Sequence, residues 1–377
     1  MAKLAFAHQL RGIAALLIVI THYFGIYYGA QGVVAGLTAS PDLHLQAAPW
    51  VAWMDFPVLK GPFGVAVFFL ISGFVIPFSL QKNRAGAFLA ARAWRIYPTY
   101  IVCLAIGLLC VHASSRYWSV PHALEARHVL MNSLLLHNLA SMPSLDDINW
   151  TLAIEIKFYL LAALCWRGFV RNTPLLFGAL ALGVIGLNAV VPLLPDEAAW
   201  RAWLHALSAL VVDLNYVLFM LIGVLFHQHY QGQLSASWLA AGALLMLAAF
   251  GVAWGLGVQK GLLPIIGKYY AYALGVFALC YAARGHFRRN AVLDFLADIS
   301  YPLYAVHALA GYTALKILMD RGLAFGPAVS VTLALVLALS WVLHRTVETA
   351  ASEVGKRWAA AIMQRRPRGE NAGAAVK

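Results

Sequence analysis

Apolar runs of about 20 residues recur along the chain between short polar connections, and they leave it one solvent to fold in. A helix crossing the hydrocarbon core needs about that length. Inside lipid each backbone N–H and C=O must find its partner within the protein, which makes every run a helix. The runs fall near Gln9–Tyr28, Gly61–Leu80, Tyr97–Ala113, Trp150–Trp166, Pro174–Leu194, Trp203–Phe226, Ser237–Gly257, Leu262–Ala282, Val292–Met319 and Gly326–Val347. Charged residues make up 11% of the 377, against roughly 25% in soluble domains. The expected fold is therefore all-α: a polytopic membrane bundle of about ten transmembrane helices over residues 1–363, with a disordered basic cytoplasmic tail over 364–377.

Orientation follows from the bases. Lys82, Arg84, Arg92 and Arg95 lie between the second and third runs, Arg167 and Arg171 between the fourth and fifth, and Arg284, Arg288 and Arg289 between the eighth and ninth. The alternate connections carry Asp42, Asp55, Glu125, Asp146, Asp147, Asp196 and Glu197 with few bases. Basic connections stay cytoplasmic, so both termini are expected inside. Topology thus accounts for the net charge of +12, and no nucleic-acid partner is needed. The four cysteines all fall within runs and read as small core residues. No metal motif, P-loop or dinucleotide fingerprint is present, and no metal is expected. The outer connections 30–60 and 114–149 are long; within the second, Glu125–Leu139 reads as a helix lying on or dipping into the outer face.

Ionisable side chains inside a membrane are costly and mark candidate chemistry. The first run holds Arg11 and His22. Eleven steps of about 100° bring both onto one face, about 16 Å apart along the axis, with Arg11 inner and His22 in the outer half. In the second run, Ser72-Gly73 reads as a packing notch or as part of a site. Arg92 and Arg95, three apart on one face, suit a phosphate clamp as well as positive-inside anchoring. Glu155 lies about 8 Å below the outer end of the fourth run and His22 roughly 10 Å below that surface, so the carboxylate is expected to meet and orient the imidazole. Tyr301, Tyr304 and His307 form a stripe in the ninth run that fits either substrate lining or aromatic packing. Asp213 and Lys268 are expected to pair with each other, without a role in the chemistry.

Five stretches in order carry a resemblance: LRGIAALLIVITHY at Leu10–Tyr23, FFLISGF at Phe68–Phe74, RAWRIYPTY at Arg92–Tyr100, WTLAIEIKFYL at Trp150–Leu160 and ISYPLYAVHA at Ile299–Ala308. Together they resemble the acyltransferase-3 family of integral membrane acyltransferases, which modify bacterial surface polysaccharides and related molecules. The resemblance implies His22 as catalytic base or acyl carrier, with Arg11 eleven residues before it. It also implies the paired arginines at Arg92 and Arg95 and a tryptophan-to-glutamate motif on Trp150 and Glu155. Catalytic roles are expected for His22, Glu155 and Arg11, and donor binding for Arg11, Arg92, Arg95 and Ser72. Trp150, Tyr159, Tyr301, Tyr304 and His307 are expected to line the substrate path. Lys157 stands where the family often has glutamine, and Glu348 is followed by Thr349 where proline is common.

The implied activity is acyl transfer from a cytoplasmic acyl-CoA, acetyl-CoA foremost, to a hydroxyl of a cell-envelope carbohydrate or glycolipid. The expected place is the bacterial cytoplasmic (inner) membrane, with no bound cofactor. Proton-coupled transport of a small anion or acylated compound is the rival, since intramembrane His, Glu and Arg suit it too; the absence of an internal repeat weighs against it.

Overall fold

A computed structural model describes residues 4–54, 60–171 and 174–364. The basic tail from residue 365 and Asp55 lie outside the described residues. All regular structure in the described part is helical. Helix α1 covers Ala5–Gly29 and a short α2 Gln31–Leu37. Then come α3 (Gly61–Leu80), α4 (Ala85–Trp118), α5 (Ala126–Ser133), α6 (Asn149–Leu164) and the short α7 (Trp166–Val170). They are followed by α8 (Pro174–Leu193), α9 (Arg201–Tyr230), α10 (Ala236–Leu256), α11 (Lys260–Ala282), α12 (Ala291–Asp320) and α13 (Phe325–Gln364).

Each expected run is a helix, and eight helices among the described residues are long and apolar enough to cross a membrane. The two helices outside that group are α6, of only 16 residues, and α12, whose 30 residues are interrupted by polar side chains. These two carry most of the expected site. Helices α1, α3, α4, α9 and α12 form the centre, with α8, α10 and α11 flanking the side of α9 and α3.

Two ends differ from the sequence expectation. Helix α4 begins at Ala85, twelve residues before its apolar run, so Arg92 and Arg95 lie within the helix. Helix α13 continues past its run through Gln364 and packs along that early part of α4, where Trp94 and Trp358 meet at 6.0 Å between ring centroids. Hydropathy sees only the lipid-facing length; both extensions are polar helix supported by each other.

The outer connection before α6 folds inward. Helix α5 forms inside the expected span, but Asn132 in its last turn and His137 and Asp146 beyond it are buried. Polar bonds replace water there. Asn149 Nδ2 donates to Asn132 Oδ1 (2.8 Å) and to Tyr100 Oη (3.0 Å), while Asp146 Oδ1 accepts the N–H groups of Ile148 (3.2 Å) and Asn149 (3.0 Å) where α6 begins. Burial pushes the Asp146 carboxyl up to about 6 against these bonds. Burial, and then the charge of Lys157, bring His137 down to about 4.

Candidate active site

Two close approaches set the depths. Helices α1 and α12 touch at Gly12, where a Cβ would sit 2.5 Å from the backbone nitrogen of Ala297. This contact lets Arg11 Nη2 donate to the Ala297 carbonyl at 3.0 Å. The same offset, ten residues on, brings His22 against His307 with ring centroids 4.7 Å apart. Helix α3 runs the opposite way, with Gly64 against Ile18. Counting from that contact places Ser72 level with Arg11.

A cavity of about 120 Å³ opens at this inner level. Arg11 enters from α1, Ser72 from α3, Arg92 and Arg95 from α4, Glu155 and Tyr159 from α6, and Tyr301 and Tyr304 from α12. Glu155 Oε1 accepts hydrogen bonds from Ser72 Oγ (2.8 Å) and Tyr159 Oη (2.5 Å). The Arg92 guanidinium lies 5.7 Å from the Phe88 ring centroid and 5.8 Å from that of Tyr159. Three guanidiniums therefore share the cavity with one carboxylate. The Nε atoms of Arg11 and Arg92 are buried without a hydrogen-bond partner among the described residues, so donors remain for an anion. Tyr301 Oη donates to the Ile96 carbonyl (2.8 Å), and Tyr304 Oη bonds Thr151 Oγ1 (2.7 Å) and the Ile148 carbonyl (3.1 Å).

The expected meeting of Glu155 with His22 does not occur. Ser72 ties Glu155 to the level of Arg11, about 16 Å below His22 along α1. The reason is the buried outer connection: α6 starts beneath it, so counting residues from an assumed surface overestimates the height of Glu155.

His22 belongs to a second, outer centre. It lies in a π-helical turn, Thr21–Ile26, that interrupts α1. Such a turn adds a residue to the helical repeat and often accompanies functional sites. His22 Nδ1 is 2.8 Å from Tyr312 Oη. Tyr23 Oη donates to the His307 carbonyl at 2.9 Å through the space left by Gly311, where any Cβ would overlap the phenol. His307 Nδ1 faces the carbonyls of Tyr304 (2.8 Å) and Leu303 (3.2 Å), while its Nε2 is buried without a partner among the described residues. Tyr304 borders both centres, lining the inner cavity and standing 5.9 Å from the His307 ring.

Trp150 is outside the cavity and packs on Tyr216 at 5.4 Å. Five residues from Glu155 is about 140° around a helix, so the two motif residues face apart; Thr151, Glu155 and Tyr159 share the lining face instead. At Ser72-Gly73 both readings hold on adjacent residues: Ser72 reaches Glu155, and Gly73 admits the backbone of Met220 and Gly223. Asp213 pairs with Lys157 at 2.8 Å and accepts from Asn138 at 2.6 Å, not with Lys268. Lys268 instead lies 5.6 Å from the ring centroid of Tyr269, on an exposed part of α11. Glu348, in the π turn His344–Glu348 of α13, bonds His344 Nδ1 at 2.8 Å. Sequence reasoning passed over Tyr312, Tyr23 and Thr151. Two tyrosines within apolar helices each need a partner for the hydroxyl, which was the available signal.

A family model described as an acyltransferase domain matches residues 4–345. The chain is 30% identical over 167 residues to nodulation protein 10 of Rhizobium leguminosarum bv. viciae, covering 37% of this chain and 43% of that protein. It is 26% identical over 272 residues to acyltransferase MdmB of Streptomyces mycarofaciens (66% and 67%). With exopolysaccharide production protein ExoZ of Rhizobium meliloti (strain 1021), identity is 29% over 281 residues (71% and 80%). The matched part thus spans less than half of the nodulation protein. No solved structure matches significantly.

Proposed function

The chain belongs to this family of membrane acyltransferases, and from that premise we propose that it moves a short acyl group from a cytoplasmic acyl-CoA to a hydroxyl of a cell-envelope glycan or glycolipid. The observation that carries the reading is the vertical order on α1: a cavity with three guanidiniums and one carboxylate at Arg11, and paired imidazoles eleven residues further out. An arginine set with an excess of two positive charges suits the phosphates of CoA, which Arg92 and Arg95 grip with planar forks. The pantetheine arm carries the thioester away from those phosphates, past Tyr301 and Tyr304, toward His22. Glu155 balances the guanidiniums and, through Ser72 and Tyr159, fixes their places. His22 is the group at which the acyl changes hands, as general base or as transient acyl carrier.

Acetyl-CoA is the expected donor. The acceptor class draws on ExoZ, whose name assigns it to exopolysaccharide production. The membrane in this reading is the bacterial inner membrane, with the arginine end of the bundle cytoplasmic. The test is purified protein in lipid with radiolabelled acetyl-CoA and a panel of oligosaccharides. Label should appear in a glycan ester, with CoA released in equal amount, and His22→Ala should abolish both. CoA release from the His22→Ala protein at the wild-type rate would refute the role given to His22.

A further inference from the structure

The outer centre contains two imidazoles where the reading above uses one. His307 is completely buried, and its Nδ1–H is committed to the carbonyls of Tyr304 and Leu303. With that proton placed, Nε2 carries the lone pair, and among the described residues it has no hydrogen-bond partner. A buried acceptor left empty is destabilising and calls for an explanation. Packing alone does not supply one. The chain holds this residue from three sides: by its own helix carbonyls, by the Tyr23 hydroxyl on its backbone, and by the His22 ring packed against it.

We propose that His307 is a second catalytic residue: its Nε2 takes the proton of the attacking hydroxyl while His22 carries the acyl group. The inference rests on the acyl-transfer reading and decides between its two routes. In the first half-reaction Nε2 of His22 attacks the thioester carbonyl carbon. The C–S bond breaks, and the proton from Nδ1 of His22 leaves with the sulfur as CoA thiol. An acylated His22 cannot then serve as base with the nitrogen that holds the acyl group. A second base within imidazole contact meets that need. In the second half-reaction the acceptor oxygen forms a bond to the acyl carbon and the C–N bond to His22 breaks. The hydroxyl proton passes to Nε2 of His307 and from there to His22, which restores both rings. Water can replace the acceptor in the same step, so the acyl-enzyme of the wild type decays slowly without any sugar.

The experiment uses acetyl-CoA labelled in the acetyl group and the full-length protein in lipid nanodiscs, with water as the acceptor. Wild type should acquire label on the peptide containing His22 and lose it after the donor is removed. His307→Gln keeps an amide donor for the Tyr304 carbonyl; it should take up label to the same stoichiometry and lose it at least a hundredfold more slowly, within the range for general-base catalysis. His307→Asn serves as the second variant should the longer amide disturb folding. Decay at the wild-type rate in a folded His307 variant overturns the proposal, as does loss of labelling in both. Turnover by wild type with no labelled protein also overturns it, yet leaves acyl transfer by His22 as general base standing. Absence of any acetyl-CoA turnover strikes the underlying reading instead.

Discussion

Replacing Asp146 by Asn tests how α6, and with it the inner cavity, is held in place. Asp146 Oδ1 accepts the N–H groups of Ile148 and Asn149 at the start of the helix that carries Thr151, Glu155 and Tyr159. The carboxyl is buried, and burial raises it from 3.8 to about 6. A carboxyl raised by folding favours the folded state in its protonated form. Its stabilisation is complete below pH 3.8 and is lost as pH rises through 6. About two units at 1.36 kcal/mol each make the loss about 3 kcal/mol at neutral pH. Roughly half, ~1.4 kcal/mol, returns on acidification to pH 5. Asparagine keeps an oxygen for both N–H groups and has no charge to desolvate. The assay is thermal unfolding of wild type and Asp146→Asn in nanodiscs from pH 7.5 to 5. The variant should be the more stable at pH 7.5, and its advantage should shrink by about half at pH 5. A variant less stable at pH 7.5, or a difference independent of pH, would show that the buried Asp146 charge does not weaken the fold.

Other perturbations reach the two centres separately. Arg92→Lys and Arg95→Lys keep the charge but lose the fork, so each should weaken CoA binding roughly tenfold in calorimetric titration; unchanged affinity would reduce both to topological anchors. Glu155→Gln keeps an oxygen for Ser72 and Tyr159 while raising the cavity's charge by one. It should hold CoA more tightly, roughly tenfold at an effective dielectric of about 20, and turn over more slowly; weaker CoA binding with normal turnover contradicts the charge-balancing role. Gly311→Ala should push Tyr23 off the His307 carbonyl, costing about 1–3 kcal/mol of stability. It should impair transfer more than CoA binding, and equal losses in the two assays would argue against separate centres.

The fold was legible because lipid allows so little: an apolar run of spanning length has to be a helix, and the Gly61–Leu80 run appears with those same ends. Of the inner site, the sequence grouped Arg11, Ser72, Arg92 and Arg95, and these four line one cavity, where Glu155 and Tyr159 join them. Depth was not. Asn132, Asp146 and Asn149 read as ordinary polar loop residues, and only folded do they form the buried network under which α6 begins. That network, invisible in hydropathy, moves Glu155 away from His22. Charge pairing failed for a related reason: Lys268 is closer in hydropathy logic to Asp213, but Lys157 on the back of α6 reaches it in space. The π turn at His22 left no mark in the residue pattern, and Tyr312 became meaningful only once His22 faced it.

In the proposed function the acyl group crosses the bilayer between the two centres while CoA stays behind. Sealed vesicles with the cytoplasmic face inward test it directly, with labelled acetyl-CoA trapped in the lumen and an oligosaccharide or glycolipid acceptor supplied only outside. Labelled acceptor should appear outside and an equal amount of free CoA inside, with neither in vesicles carrying His22→Ala. Transfer that proceeds only with donor and acceptor on one side, or export of the label without a covalent product, would contradict it.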